Sequence, residues 1–159
     1  MISGAISSQQ YLDALRLHRQ RPVRRQLLVL ISLALAGVIV AVVAHRLLGL
    51  ILVGAGVGGL IGEFIQSRFI LPRKAEKIYN QQAALRATYT YSWDKEWLSV
   101  WSETVQAKRL WSDYIRTLEN EQLLLLYHSD IMFEIFPKSW FVSQEQATAF
   151  HVLASRPGT

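Results

Sequence analysis

LLVLISLALAGVIVAVVAHRLLGLILVGAGVGGLIG, residues 27–62, is the stretch on which the fold turns. Leu27 to Ala44 runs without a charge. At about 1.5 Å per residue that run makes a helix about 27 Å long, close to the ~30 Å hydrocarbon core of a bilayer. His45 and Arg46 interrupt it, and Leu47 to Gly62 is apolar again before Glu63. Phe64, Ile65, Phe69 and Ile70 let a second span extend to about residue 70. The reading is a helical hairpin crossing a membrane twice over residues 27–70, with a two-residue tip. A secretory signal peptide is the rival for the first run. It fails because a second span follows at once and no A-x-A cleavage context closes the first.

Charge is distributed to match. Residues 1–86 carry 11 Lys and Arg against 3 acids, and residues 87–159 carry 6 against 9, so the overall +5 comes from the apolar half. Nucleic-acid binding would place positive charge on a folded domain with base-reading aromatics; here it flanks the apolar runs, as anionic headgroups select. Arg19, Arg21, Arg24 and Arg25 before the first run, and Arg73 and Lys74 after the second, are the expected headgroup contacts. Only Arg46 lies between the runs, so both termini are expected in the cytoplasm. A shallow re-entrant hairpin is the alternative, given the short tip. There is no cysteine, hence no disulfide, thiol nucleophile or thiolate metal site.

Gly54, Gly58 and Gly62 recur every four residues on one helix face, where small side chains let helices approach in lipid. Gly37 and Ala41 of the first helix are expected to receive them, with a contact between two copies of the chain as the alternative. Glu63 falls at the depth of Arg25 and Gln26, and a structural ion pair there is preferred to a proton relay. Gly54 to Gly59 also satisfies G-x-G-x-x-G, with Glu76 about 20 residues on. That reading fails: the segment that should form the second strand, Ile70 to Ala75, is basic and broken by Pro72, and no parallel strands follow.

Flanking the hairpin, Ser7 or Ser8 can cap a helix from about Gln9 towards Pro22, and Lys74 to Ala87 reads as a connecting helix. From Thr88 the apolar period changes to two. Strands are expected at Thr88–Trp93, Trp97–Ser102, Val105–Leu110, Tyr114–Leu118, Leu123–His128 and Ile131–Phe136, separated by turn residues. Ser143 to Gln146 is a capping box that opens a final helix. The expected fold class is α+β: a two-helix transmembrane hairpin plus a small antiparallel β domain capped by a C-terminal helix. Its regions are 1–26 (amphipathic helix and basic arm), 27–70 (hairpin) and 71–159 (connecting helix and cytoplasmic β domain).

Trp111-Ser112-Asp113-Tyr114-Ile115 and Ile135-Phe136-Pro137-Lys138-Ser139-Trp140-Phe141 resemble the W-x-D-I turn and the I-P-K-x-x-F segment of the YcxB-like proteins, with Phe136 inserted between the Ile and the Pro. The resemblance extends over the order of the whole chain. It implies a β domain like the bacterial pleckstrin-homology modules, a place in the bacterial inner (cytoplasmic) membrane, and no active site.

Trp97 and Trp101 share one face of their strand, with Leu98 and Val100 on the other, so both faces are apolar. Either the strand is covered on both sides, or the tryptophans are a partner-binding face. Asp113 reads as a turn-maker bonding backbone amides. The four histidines are scattered, and no metal-ligand spacing, G-x-S-x-G, H-E-x-x-H or P-loop occurs. No cofactor is expected. The expected function is a non-enzymatic, membrane-anchored protein-interaction module, with an immunity-type role against a membrane-acting toxin as one form of it. The alternative is an oligomeric channel or transporter subunit built from the Gly-rich hairpin.

Reporters fused at residue 1 and at residue 159 are expected both to read cytoplasmic. A periplasmic signal at either end overturns the hairpin topology.

Overall fold

The computed structural model describes Met1–Ser155; residues 156–159, which end the region expected over 71–159, lie outside the described residues. The elements in chain order are β1 (Ile2–Gly4), α1 (Ser8–Val43), α2 (Arg46–Ile65), a π-helical turn (Gln66–Ile70), α3 (Leu71–Gln81), α4 (Ala83–Arg86), β2 (Tyr89–Trp93), β3 (Trp97–Trp101), β4 (Gln106–Leu110), β5 (Arg116–Glu119), β6 (Leu123–Tyr127), β7 (Phe133–Pro137) and α5 (Gln144–Ala154). The chain divides into two compact units. One is His18–Lys74, and the other joins Met1–Leu17 to the chain from Ala75 onward.

All six expected strands are present within a few residues of their expected ends. The turn residues between them act as their chemistry suggests. Asp94 Oδ1 accepts from the Glu96 and Trp97 amides, Ser102 Oγ from Val105, Asn120 Oδ1 from Gln122 and Leu123, and Ser129 Oγ from Met132. A short polar side chain that caps its own turn replaces water at the hairpin and stops the strand there. The strands form two antiparallel sheets, ordered β1-β2-β3-β4 and β5-β6-β7. Their inner faces and α5 enclose one core of Tyr91, Leu98, Val100, Trp111, Phe136 and Phe150 with their neighbours. A second core lies on the other side of the three-stranded sheet, where Ala14 and Leu17 of α1 meet Leu123, Leu125, Tyr127 and Ile135. β6 is therefore buried along its whole length.

The N-terminal arm is not the separate region expected over 1–26. Ser7 and Gln10 form a reciprocal capping box (2.9 and 3.1 Å), and the helix that follows begins in the second core. It does not end near Pro22 but continues through it to Val43. A single proline costs a helix about 3 kcal/mol, while the turns ahead of it are held by the second core. Residues 2–4 form a strand that pairs with β2, Ile2 opposite Tyr91. Gly4 is required there: a Cβ would stand 2.2 Å from the Trp140 indole. The connecting helix also differs. It runs from Leu71 to Gln81, and Gln82 breaks it from α4.

Two helices of 36 residues, Ser8–Val43 and Arg46–Gln81, whose stretches within residues 18–74 make up the other unit, are long and apolar enough to cross a membrane. The four-residue glycine stripe is not their contact. A Cβ at Gly54, Gly58 or Gly62 meets nothing within 4 Å. The seam is made instead by Gly49 on Ala41, Gly56 on Ala34 and Leu30, and Gly59 on Leu30, while Gly37 sits against Leu52 and Val53. Gly37 and Ala41 are thus contact residues as expected, but they meet the face marked by Gly49 and Gly56. Those two are seven residues apart, two helical turns, which keeps a face aligned in near-parallel packing. The four-residue stripe points away from it.

Gly56→Leu is expected to lower the thermal midpoint in detergent, by about 1–3 kcal/mol of overpacking, because its Cβ would lie 2.8 Å from Ala34 N and Leu30 O. Gly58→Leu should leave the midpoint in place. The reverse ranking would restore the four-residue stripe as the seam.

Candidate functional site

Strand pairing defines the outer face of the four-stranded sheet. Trp97 lies opposite Leu110, Ser99 opposite Lys108, Trp101 opposite Gln106, and Thr90 opposite Trp101. Residues directly across an antiparallel pair share a face, so this surface is polar apart from two tryptophans and Leu110. Leu98 and Val100 fill the core from the other side. The geometry excludes Trp97 and Trp101 from that core. Trp101 is 37% exposed, and Trp97 is half-buried, with Lys108 Nζ 4.6 Å from its ring centroid. A cation seated over indole adds about 0.5–1 kcal/mol at such an exposed place.

A second cluster was not legible in the sequence, where the acids from Asp94 to Glu145 read mostly as turn or solvent-face charges. Arg109 sits on the inner side of β4, opposite Leu98. Its counter-charge is Glu134 of β7, in the other sheet. The Glu134 carboxylate also accepts the Tyr114 hydroxyl at 3.1 Å and lies 3.1 Å from His128 Nε2, which is 2.9 Å from Arg109 Nη1. Burial opposes the charge on Arg109, and the Glu134 carboxylate together with the Tyr114 and Tyr91 side chains outweighs it, so the guanidinium is held above its ordinary value. Bonded to Arg109 of β4 and to the Tyr114 hydroxyl, the Glu134 carboxylate joins the two sheets. The cluster borders an open cleft of about 750 Å³ that Tyr11, Leu15, Leu85 and Met132 help to line. At the far end of the sheet, Glu119 pairs with Lys138 (2.9 Å) and His151 (3.5 Å).

The other expected residues fall as follows. Asp113 makes its turn, accepting from the Leu110 amide at 3.1 Å, although it is exposed. Arg21, Arg24, Arg25, Arg73 and Lys74 are exposed. Arg19 is not a free headgroup contact: its Nη2 is 3.2 Å from Glu63 Oε1, and Glu63 is 6% exposed. The ion pair expected at Glu63 is real, but its partner is Arg19 rather than Arg25. Among the described residues no group of three or more His, Asp or Glu could hold a metal.

Residues 93–150 match the family model described as YcxB-like protein. The matched stretch runs from the end of β2 into α5 and contains both motifs on which the resemblance was drawn. No curated protein and no solved structure matches the chain. The YcxB-like segment thus takes in the Trp97–Trp101 face and the Arg109–Glu134 cluster, and leaves out the hairpin.

In the β unit, burial first, and the Glu134 carboxylate second, raise the Tyr91 and Tyr114 hydroxyls well above their ordinary value of 10.0. Both are neutral in the folded and unfolded chain below pH 10. Above it the unfolded chain loses protons that the folded one retains, so stability falls as pH rises. A titration of thermal midpoint is expected to be flat towards pH 10 from below and to drop beyond it, with Tyr91→Phe and Tyr114→Phe each shallowing the drop. A drop of unchanged slope in both variants would refute the assignment.

Proposed function

We propose that this chain is a non-enzymatic interaction module anchored in the inner membrane, whose pleckstrin-like β unit offers the Trp97–Trp101 face to a protein partner. The observation that carries the anchoring is exposure. The apolar windows of the two long helices are only 6% and 17% buried within the chain. Val42 and Val43, near the tip, are 81% and 79% exposed. A core helix of a soluble protein would be mostly covered, and leaving one such side chain in water forfeits about 1.5–3 kcal/mol. Lipid is the cover that suits a surface apolar on every side, and the exposed Arg21, Arg24, Arg25, Arg73 and Lys74 suit anionic headgroups beside it. The order of a four-stranded sheet, a three-stranded sheet and a closing helix supports the pleckstrin-like reading. The pairing of Glu63 with Arg19 favours this module over a channel subunit, since it occupies the charged group that a conduction path would use.

The Trp face is the proposed binding surface because it is apolar area that the core does not need, and tryptophan concentrates binding energy at interfaces. Trp101→Ala is expected to change folding stability by less than about 1 kcal/mol. The same substitution should weaken capture of the partner from solubilised membranes by tenfold or more, as about 2 kcal/mol at a hot spot implies. The two readouts are thermal unfolding and quantitative pull-down, run side by side with Trp97→Ala. If stability and capture fall together, the face is structural and the proposal fails.

A further inference from the structure

A strand at the end of a sheet presents a row of backbone groups with no strand beyond it. Four strands stand at sheet ends here: β1 and β4 of one sheet, β5 and β7 of the other. β1 is three residues long, β5 is four, and β7 closes on Pro137, which has no N–H to offer. β4, Gln106–Leu110, is five residues long and contains no proline.

Hydrogen bonds at the two ends of the β3–β4 pair show which backbone groups of β4 are engaged. The Ser102 amide donates to Val105 O at 2.7 Å, and the Trp111 amide to Glu96 O at 3.1 Å. Bonded pairs alternate along an antiparallel ladder, so between those ends Ala107 bonds to Val100 and Arg109 to Leu98. The backbone groups of Gln106, Lys108 and Leu110 therefore point away from β3. Asp113 takes the Leu110 amide. Among the described residues nothing bonds to the other N–H and C=O groups of this row. All three residues are exposed, and they share the outer face with Trp97 and Trp101.

We propose that the partner adds an extended, acidic segment to β4 as a fifth, antiparallel strand of this sheet. This rests on the reading of the β unit as an interaction module, and it names how the partner docks. Main-chain hydrogen bonds to Gln106, Lys108 and Leu110 supply affinity, and alternate side chains supply selectivity. Lys108 sets the chemistry. It is the centre of the row and, among the described residues, forms no ion pair; its ammonium rests on the Trp97 ring. Asp94 senses that charge, but its carboxylate is engaged by the Glu96 and Trp97 amides. A carboxylate directly across from Lys108 completes the pair, and an apolar residue two positions before it lies across from Leu110. A second copy of this chain suits the edge poorly. Pairing β4 with itself over its whole length sets Lys108 against Lys108, the like-charge contact by which edge lysines keep sheets apart.

The test uses the full chain in lipid nanodiscs and the fluorescein-labelled peptide TVTETQT, whose Val, Glu and Gln fall across from Leu110, Lys108 and Gln106. Fluorescence anisotropy is expected to show binding. Methylating the Val, Glu and Gln amide nitrogens, which face β4, should weaken it more than about tenfold, while methylating the intervening Thr nitrogens changes it by less than about twofold. Lys108→Glu should weaken binding about tenfold, replacing an opposite-charge pair by a like-charge one, and should bind TVTKTQT as the unaltered chain binds TVTETQT. No binding, equal loss from both methylation patterns, or a Lys108→Glu chain that treats the two peptides alike overturns the added strand. So does sedimentation showing a dimer that the peptide splits, since a second copy then holds the edge. If the peptide fails while Trp101→Ala still weakens capture, the strand is lost and the Trp face stands.

Discussion

Strand β6 has no side chain in water. Leu124 and Leu126 point between the two sheets, while Leu123, Leu125 and Tyr127 point to the start of α1. A strand used on both faces must have both layers in place before its burial is complete, and this couples elements far apart in the chain. The first turns of α1 are held by the second core, the register of β7 by pairing with β6, and α5 by the first core. Ala14, fully buried, is small where a longer side chain would push helix and sheet apart. The family match over residues 93–150 contains β6, but the helix that covers one face of it lies outside that match.

The hairpin depends on a related constraint, the close backbone approach that its seam glycines allow. The existence of two apolar helices was legible because charge stops at Gln26 and returns at Arg46 and Glu63. The face they share was not. Gly54, Gly58 and Gly62 make the more regular pattern, yet Gly49 and Gly56 make the contact. A signal was available: Gly49, Leu52, Gly56, Gly59 and Glu63 follow the three-and-four spacing of an antiparallel seam, and Glu63 ends it against Arg19. Glycines without a second helix to read them against do not reveal which side is inward.

In the β unit, what rests on alternation was legible. Leu98 and Val100 inward, with Trp97 and Trp101 outward, follows from period two. So do the turns at Asp94, Asn120 and Ser129, whose side chains bond their own backbone. The Arg109–Glu134–Tyr114–His128 cluster depends instead on how one sheet faces another, and no spacing between residues 109 and 134 encodes that. Strand β1 escaped for a different reason. Three residues carry no period, and Gly4 announces itself only beneath Trp140.

That short strand also sets a timetable. Ile2 is synthesised before both long helices, and Tyr91, its partner across the sheet, only after them. Contacts between residues so distant in sequence close late, since the loop entropy between them must be overcome first. The beginning of the chain therefore waits, unpaired, while everything between is laid down. The four-stranded sheet receives its edge strand β1 from a segment made before both long helices. Until Gly4 slides under Trp140, β2 carries an open edge, the state in which a nascent sheet is most exposed to pairing with the wrong neighbour.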